Sequence, residues 1–198
     1  MIHIYFVRHG ESVDNEQEII PRDGSLLSVQ GGKDIIRAIK KLQKISANLI
    51  ISSDQIRELQ TADILAKKLK LKIRKDICLR ERKFPREIVG KKENDISVQK
   101  VLHEMRLHVE NKHWHYSNEE NFVEFKNRAK KFLCDKIYSL NENVIVVSHA
   151  GFIRMIICLI KYGDKLSWFG YDRIRNKVKI RSGLITRIVL SNKIVAIG

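Results

Sequence analysis

The chain has 198 residues, 43% of them hydrophobic and only two of them proline, which excludes a disordered polymer and fits one compact domain. Subtracting 23 acidic from 38 basic residues leaves a formal charge of +15, so anionic partners are favoured. The lysines are spread rather than blocked, and no nucleic-acid motif or interleaved aromatic pattern accompanies them, so a nucleic-acid partner is not expected.

The apolar opening segment, 2–7, lacks the basic start and longer apolar core of a signal peptide. The longest strongly apolar stretch, 152–160, is broken by Arg154 and falls far short of the roughly 20 residues that span a bilayer. No membrane partner is expected. Cys78, Cys134 and Cys158 are odd in number and widely spaced, which suits neither a disulfide framework nor a zinc site. A cytoplasmic location follows as the expectation.

Short segments rich in Ile and Val alternate with longer segments of helical period, the pattern of an α/β domain with a mostly parallel sheet. The first strand is expected at 2–7. A helix over 28–45 carries Ile35, Ile36, Ile39, Leu42 and Ile45 on one stripe. A second strand at 49–51 leads to Ser52 and Gln55, a capping-box spacing that opens a helix with Ile56, Leu59, Ala62, Ala66 and Leu69 as its buried face. Ile73 marks a short third strand. Residues 82–116 are polar and basic, with one helix expected over 95–109, and read as an insertion or lid above a pocket. Ser117 and Glu120 form a second capping-box spacing before a helix carrying Phe122, Phe125, Ala129, Phe132, Leu133 and Ile137. The apolar run 144–147 suits a central strand buried on both faces. A helix follows over 151–160. Strands at 184–190 and 193–197, joined by a turn at Ser191 and Asn192, finish the sheet antiparallel.

In such sheets ligands bind beyond the carboxyl ends of the strands. Arg8, His9, Gly10 and Glu11 follow the first strand, Ser52, Ser53 and then Arg57 the second, and Ser148, His149, Ala150 and Gly151 the fourth. Two imidazoles and two guanidinium groups therefore converge on one edge. Phosphoryl transfer spreads charge over three equatorial oxygens, so positioned cations carry most of its catalysis. Arg8 and Arg57 suit that grip, because a guanidinium fork binds two oxygens and stays charged. His9 is the candidate nucleophile, and a protonated His149 is expected to stabilise the transition state. Gly10 is expected to admit close backbone approach to the ligand. The amides from Ala150 onward open a helix and offer anion-binding donors. The leaving oxygen needs a proton and the later water must lose one, a double task for one partly buried carboxyl. Glu81 is the candidate. His103, His108, His113 and His115 lack the spacing that sets two ligands on one helical face, so no metal is expected.

These residues resemble the motifs of the histidine phosphatase superfamily, the phosphoglycerate mutase-like family. Arg8, His9, Gly10, Glu11 and Ser12, with Asn15 beyond them, are similar to its first signature. Leu27, Ser28 and Gly31 resemble the next block, Ser52, Ser53, Asp54, Arg57, Thr61 and Ala62 its second arginine motif, and Ser148, His149, Ala150 and Gly151 its second histidine motif. Leu79, Arg80, Glu81 and Phe84 resemble the block carrying the family's acid, with Pro85 where many members have glycine and Gly24 where an aspartate is frequent. The four ordered blocks span nearly the whole chain. The resemblance implies a three-layer α/β/α sandwich with a mostly parallel central sheet and an antiparallel edge.

It also implies a metal- and cofactor-independent phosphatase that hydrolyses phosphate monoesters through a phosphohistidine on His9. Arg8, Arg57 and His149 hold the phosphoryl group, Glu81 serves as acid and then base, and Ser12 and Asn15 help bind the phosphate or orient His9. Small phosphorylated metabolites and phosphoproteins both remain open as substrates. One rival is a cofactor-dependent phosphoglycerate mutase, for which Glu81 followed by Arg82 speaks. The other is a non-catalytic module that binds phosphate or RNA through its basic surface.

Overall fold

A computed structural model describes residues 1–191 and 194–197. In chain order the elements are β1 (Ile2–Arg8), a one-turn α1 (Val13–Glu16), α2 (Val29–Leu42), β2 (Leu49–Ser52), α3 (Ile56–Leu69), β3 (Lys72–Lys75) and α4 (Ile96–Leu107). They continue with α5 (Phe122–Phe132), β4 (Val144–Ser148), α6 (Ala150–Tyr162), α7 (Trp168–Lys177), β5 (Ile185–Ser191) and β6 (Ile194–Ile197). The six strands lie in the order β3-β2-β4-β1-β5-β6. β3, β2, β4 and β1 pair in parallel, and β5 pairs antiparallel to β1 and to β6. The expected α/β/α architecture with a mostly parallel sheet and an antiparallel edge is what forms. Asn192, half of the expected final turn, lies outside the described residues.

The layers follow from strand periodicity, since alternate side chains point to opposite faces. Tyr5, Val7, Ile50, Ile145 and Val147 meet Ile35, Ile39 and Leu42 of α2 and Ala62 and Leu65 of α3 on one face. Ile4, Phe6, Ile51, Val144 and Val146 meet Phe125, Ala129 and Phe132 of α5 and Phe152, Met155 and Ile156 of α6 on the other. β4 has helices on both sides and is buried throughout, which its unbroken apolar run requires.

Several local expectations shift. Ile36 and Ile56 point outward, 55% and 41% exposed. The buried face of α3 keeps the expected Ala62, with Ala66 and Leu69 partly buried beside it, and adds Arg57, Glu58, Thr61 and Leu65, because the helix turns its polar first turn toward the strand ends. Ser52 does not cap α3. Its hydroxyl donates to Ser53 O at 2.8 Å, and Gln55 stands at the N-cap. The second capping box belongs to Asn121 and Glu124, because Ser117 donates to Glu87 and Glu120 is taken by Arg128. α7 is absent from the periodicity, since only Tyr171 and Ile174 of its ten residues are buried. Within 82–116, α4 forms with Asp95 as its cap, and Val98, Val101 and Met105 join Ile20 and Ile88 in a small separate cluster.

Candidate active site

β1, β4 and β2 end side by side, with Arg8 opposite Ser148 and Ser52 opposite Val147. Main-chain bonds extend that alignment into the loops: His9 N donates to Ser148 O and Ser53 N to Val147 O, both at 3.0 Å. Arg8, His9, Arg57 and His149 are thereby brought together, as the sequence predicts.

The two imidazoles are 4% and 1% exposed and sit edge to face, their centroids 5.3 Å apart. His9 Nδ1 lies 2.6 Å from Gly10 O. A carbonyl only accepts, so the hydrogen is assigned to Nδ1 and Nε2 keeps its lone pair. Arg57 donates from Nη1 to Arg22 O at 3.1 Å and from Nη2 to His149 Nδ1 at 3.0 Å. A guanidinium cannot accept, so His149 receives that bond on a lone pair and carries its hydrogen on Nε2, 3.4 Å from Ser53 Oγ. Arg8 Nη1 donates to Ile180 O at 2.9 Å. Burial first, and then the charge of Arg57, hold both imidazoles well below the usual histidine range. The protonated His149 expected from the sequence is thus replaced by a neutral ring, which still has an N–H to offer an oxygen.

Sequence reasoning passes over Glu58. Its carboxyl is fully buried, with Oε1 at 3.0 Å from His149 Nδ1, 3.1 Å from Arg57 Nε and 3.4 Å from His9 Nε2. These are ion-pairing distances, yet neither carboxyl oxygen meets hydrogen-bond geometry with any partner. Burial raises the carboxyl to about 8, against the pull of Arg57. The signal in the sequence is the helical spacing of Arg57, Glu58 and Thr61. Thr61 lies four residues beyond Arg57 and three beyond Glu58, so a face that carries Arg57 and Thr61 extends to Glu58. Thr61 Oγ1 accepts from Gly10 N at 3.1 Å and donates to Arg57 O at 2.8 Å, tying α3 to the first loop. Gly10 has to be small for the packing of α2 as well, since a Cβ there would lie 2.4 Å from Gly31 O.

Among the described residues, His9, Glu58 and His149 are the one group close enough to share a metal ion, their ligand atoms lying within 4.8 Å of each other. The guanidinium groups of Arg8 and Arg57 add fixed positive charge at the same point, which favours an anion. Of the remaining histidines, His108 stacks on Trp114 and His115 meets Glu124 at 3.1 Å.

Glu81 stands on the loop after β3, its Oε2 accepting from Gly151 N at 2.8 Å and Oε1 from Arg82 N at 3.1 Å. Neither flanking arginine pairs its guanidinium with this carboxyl, since Arg80 pairs with Asp54 and Arg82 donates to Glu120 O. Arg128 braces this loop with bonds to the carbonyls of Cys78 at 2.6 Å and Arg80 at 2.8 Å, while its fork holds Glu120. Gly151's amide is therefore occupied by Glu81, and Ala150, first in α6, has the amide without an intrahelical acceptor. Ser12 is buried and caps α1, its hydroxyl donating to Asn15 Oδ1 at 2.8 Å. It therefore reaches the site only through Asn15.

Residues 4–176 match the model of the histidine phosphatase superfamily (branch 1). The chain belongs to this family. It is 30% identical over 163 residues to a Hydrogenobacter thermophilus protein named "Putative phosphoserine phosphatase 2", covering 81% of this chain and 79% of that one. Among solved structures, a mycobacterial glucosyl-3-phosphoglycerate phosphatase in complex with VO3 aligns with a TM-score of 0.81 at 20% identity, over 100% of this chain and 98% of the other. The alpha-ribazole phosphatase of Shigella flexneri aligns with a TM-score of 0.80 at 19% identity, over 100% and 95%. These structures share the fold.

Beside the charged cluster this histidine phosphatase has a cavity of about 590 Å³, lined among others by Arg8, Asn15, Glu81, Ala150, Met105 and Trp168. His9, Arg57 and His149 are not part of its wall. Among the described residues no helix is long and apolar enough to cross a membrane.

Proposed function

We propose that this histidine phosphatase hydrolyses small phosphate monoesters through a covalent phosphohistidine on His9. The observation that carries the reading is the Nδ1–H of His9 held on Gly10 O, which leaves Nε2 as a lone pair beside two guanidinium groups. Nε2 attacks phosphorus and the N–P bond forms as the ester P–O bond breaks. Glu81 passes its proton to the departing alkoxide oxygen. Water then gives a proton to the Glu81 carboxylate and attacks phosphorus, and the N–P electrons return to Nε2 as inorganic phosphate leaves. Arg8, Arg57 and the Nε2–H of His149 bind the equatorial oxygens, where charge accumulates. Asn15, held by Ser12, and the Ala150 amide add neutral donors.

Substrate choice belongs to the cavity. Five arginines line it, Arg8, Arg82, Arg106, Arg154 and Arg175, against two glutamates, Glu81 and Glu93. That balance favours a small ester whose alcohol part is itself negatively charged, and residues 82–116 act as the insertion that selects it. We read the whole chain as one catalytic unit working in a reducing compartment.

The test is a panel of phosphate esters given to the purified chain and to its His9→Ala variant. The wild type is expected to turn over at least one ester and to trap an acid-labile phosphoryl label, and the variant to do neither. Full turnover by His9→Ala would end the proposal.

A further inference from the structure

Glu58 is a buried carboxyl that the mechanism above does not use, placed where a carboxylate is least welcome. Both lone pairs that face it are fixed by other bonds. His9 Nε2 is unprotonated because Nδ1–H is spent on Gly10 O, and His149 Nδ1 is unprotonated because it accepts from Arg57. Oε1 of Glu58 stands 3.4 Å from the first and 3.0 Å from the second. An ionised oxygen there would face two lone pairs, whereas a protonated carboxyl has one hydrogen to give to either.

We propose that Glu58 is a proton gate, whose carboxyl must be protonated for a phosphoryl dianion to bind among Arg8, Arg57, His9 and His149. The inference rests on the phosphatase reading and goes beyond it. Two fixed cations, Arg8 and Arg57, match a dianion when Glu58 is neutral and fall one charge short when it is ionised. An ionised Oε1 would also compete with a phosphoryl oxygen for Arg57 Nε, 3.1 Å away, and would draw a proton onto His9 Nε2, removing the nucleophilic lone pair. The charged and titratable groups around the carboxyl are Arg8 and His9 at the end of β1, Arg57 on its own helix, His149 before α6, and Glu81 on the loop after β3. Glu81 adds like charge and Arg8 opposes it. Burial, which works in the same direction as Glu81, outweighs Arg57 and Arg8 and keeps the proton on the carboxyl up to about pH 8.

The gate closes as pH rises. Isothermal titration of inorganic phosphate into the wild type and into Glu58→Gln, between pH 6.5 and 9.5, tests it, because the ratio of the two Kd values cancels the titration of phosphate itself. Above the carboxyl's transition the ratio of wild-type to variant Kd is expected to grow about tenfold per pH unit. kcat/KM for an aryl phosphate should show an alkaline limb in the wild type that is missing in the variant. A constant Kd ratio, or an unshifted alkaline limb in Glu58→Gln, overturns the gate. Should the variant fail to fold, the wild type alone decides, since a Kd that does not weaken between pH 8 and 9.5 overturns the gate as well. Wild-type protein that binds no phosphate at any pH overturns the phosphatase reading itself, a result distinct from binding without pH dependence.

Discussion

The strand-end cluster and the segment 82–116 are built on opposite plans. The cluster gathers Arg57, Glu58, His9 and His149 at 0–4% exposure, fixed from three strands of the sheet and one helix. The segment leans on the loop after α1, with Val98, Val101, Met105 and Ile88 packed on Ile20 apart from the main core and Gly90 N and Glu93 N bonded to Ile20 O and Glu18 O. Chemistry needs groups held to fractions of an ångström, which only the interior supplies. Selection needs a surface that can change without disturbing that geometry.

The sharpest way to break this contrast is Arg57→Lys. An ammonium cannot reach Arg22 O, His149 Nδ1 and Glu58 together, so kcat/KM is expected to fall by about 10²–10³ in steady-state kinetics. An equal loss from Arg106→Ala would erase the distinction between the regions. Arg128→Met comes next, because it frees the loop that presents Glu81. A loss of about 10–10² in kcat is expected, largest for esters with poor leaving groups. Rates that fall equally for every leaving group would separate Arg128 from the acid.

Glu58→Gln sharpens the comparison through stability. The folded carboxyl titrates at about 8, above its ordinary 4.5, so between those values the unfolded chain has released a proton that the folded chain retains. Stability is therefore lost as pH rises from 4.5 toward 8, by several kcal/mol at an approximate 1.4 kcal/mol per unit. The variant should melt higher than wild type at pH 8, the gap shrinking toward pH 5. His9 and His149 act at the other end. Their folded values lie below the ordinary 6.5, so stability also falls as pH drops below 6.5. The smallest effect is expected from Arg106→Ala, with kcat within roughly threefold of wild type while the KM ranking of charged and neutral esters changes.

Much of this was legible in the sequence because strand and helix periods are strong in Ile- and Val-rich segments. The run at β4 and the stripe of α5 read directly, and strand ends in a parallel sheet gather Arg8, His9, Arg57 and His149 without further information. α3 misled because its apolar residues Ile56 and Leu59 outrank Arg57 and Glu58 on hydropathy, while the site needed the polar face inside. Glu58 was missed for the same reason: a carboxylate is expected outside, and only the fold shows it enclosed. The capping boxes slid because several Ser, Asn and Glu residues near 117–124 offer the same spacing, and tertiary partners choose among them.

His9, Arg8 and Arg57 are each steered by a main-chain oxygen, of Gly10, Ile180 and Arg22 respectively. No amino-acid replacement deletes a carbonyl. A saturation scan of position 22 should thus find many tolerated residues, and one of position 180 those apolar residues that fill the place of the buried Ile180, while adding or removing a single residue in either loop should silence the enzyme. For this part of the molecule, loop length is expected to be a stricter constraint than side-chain identity.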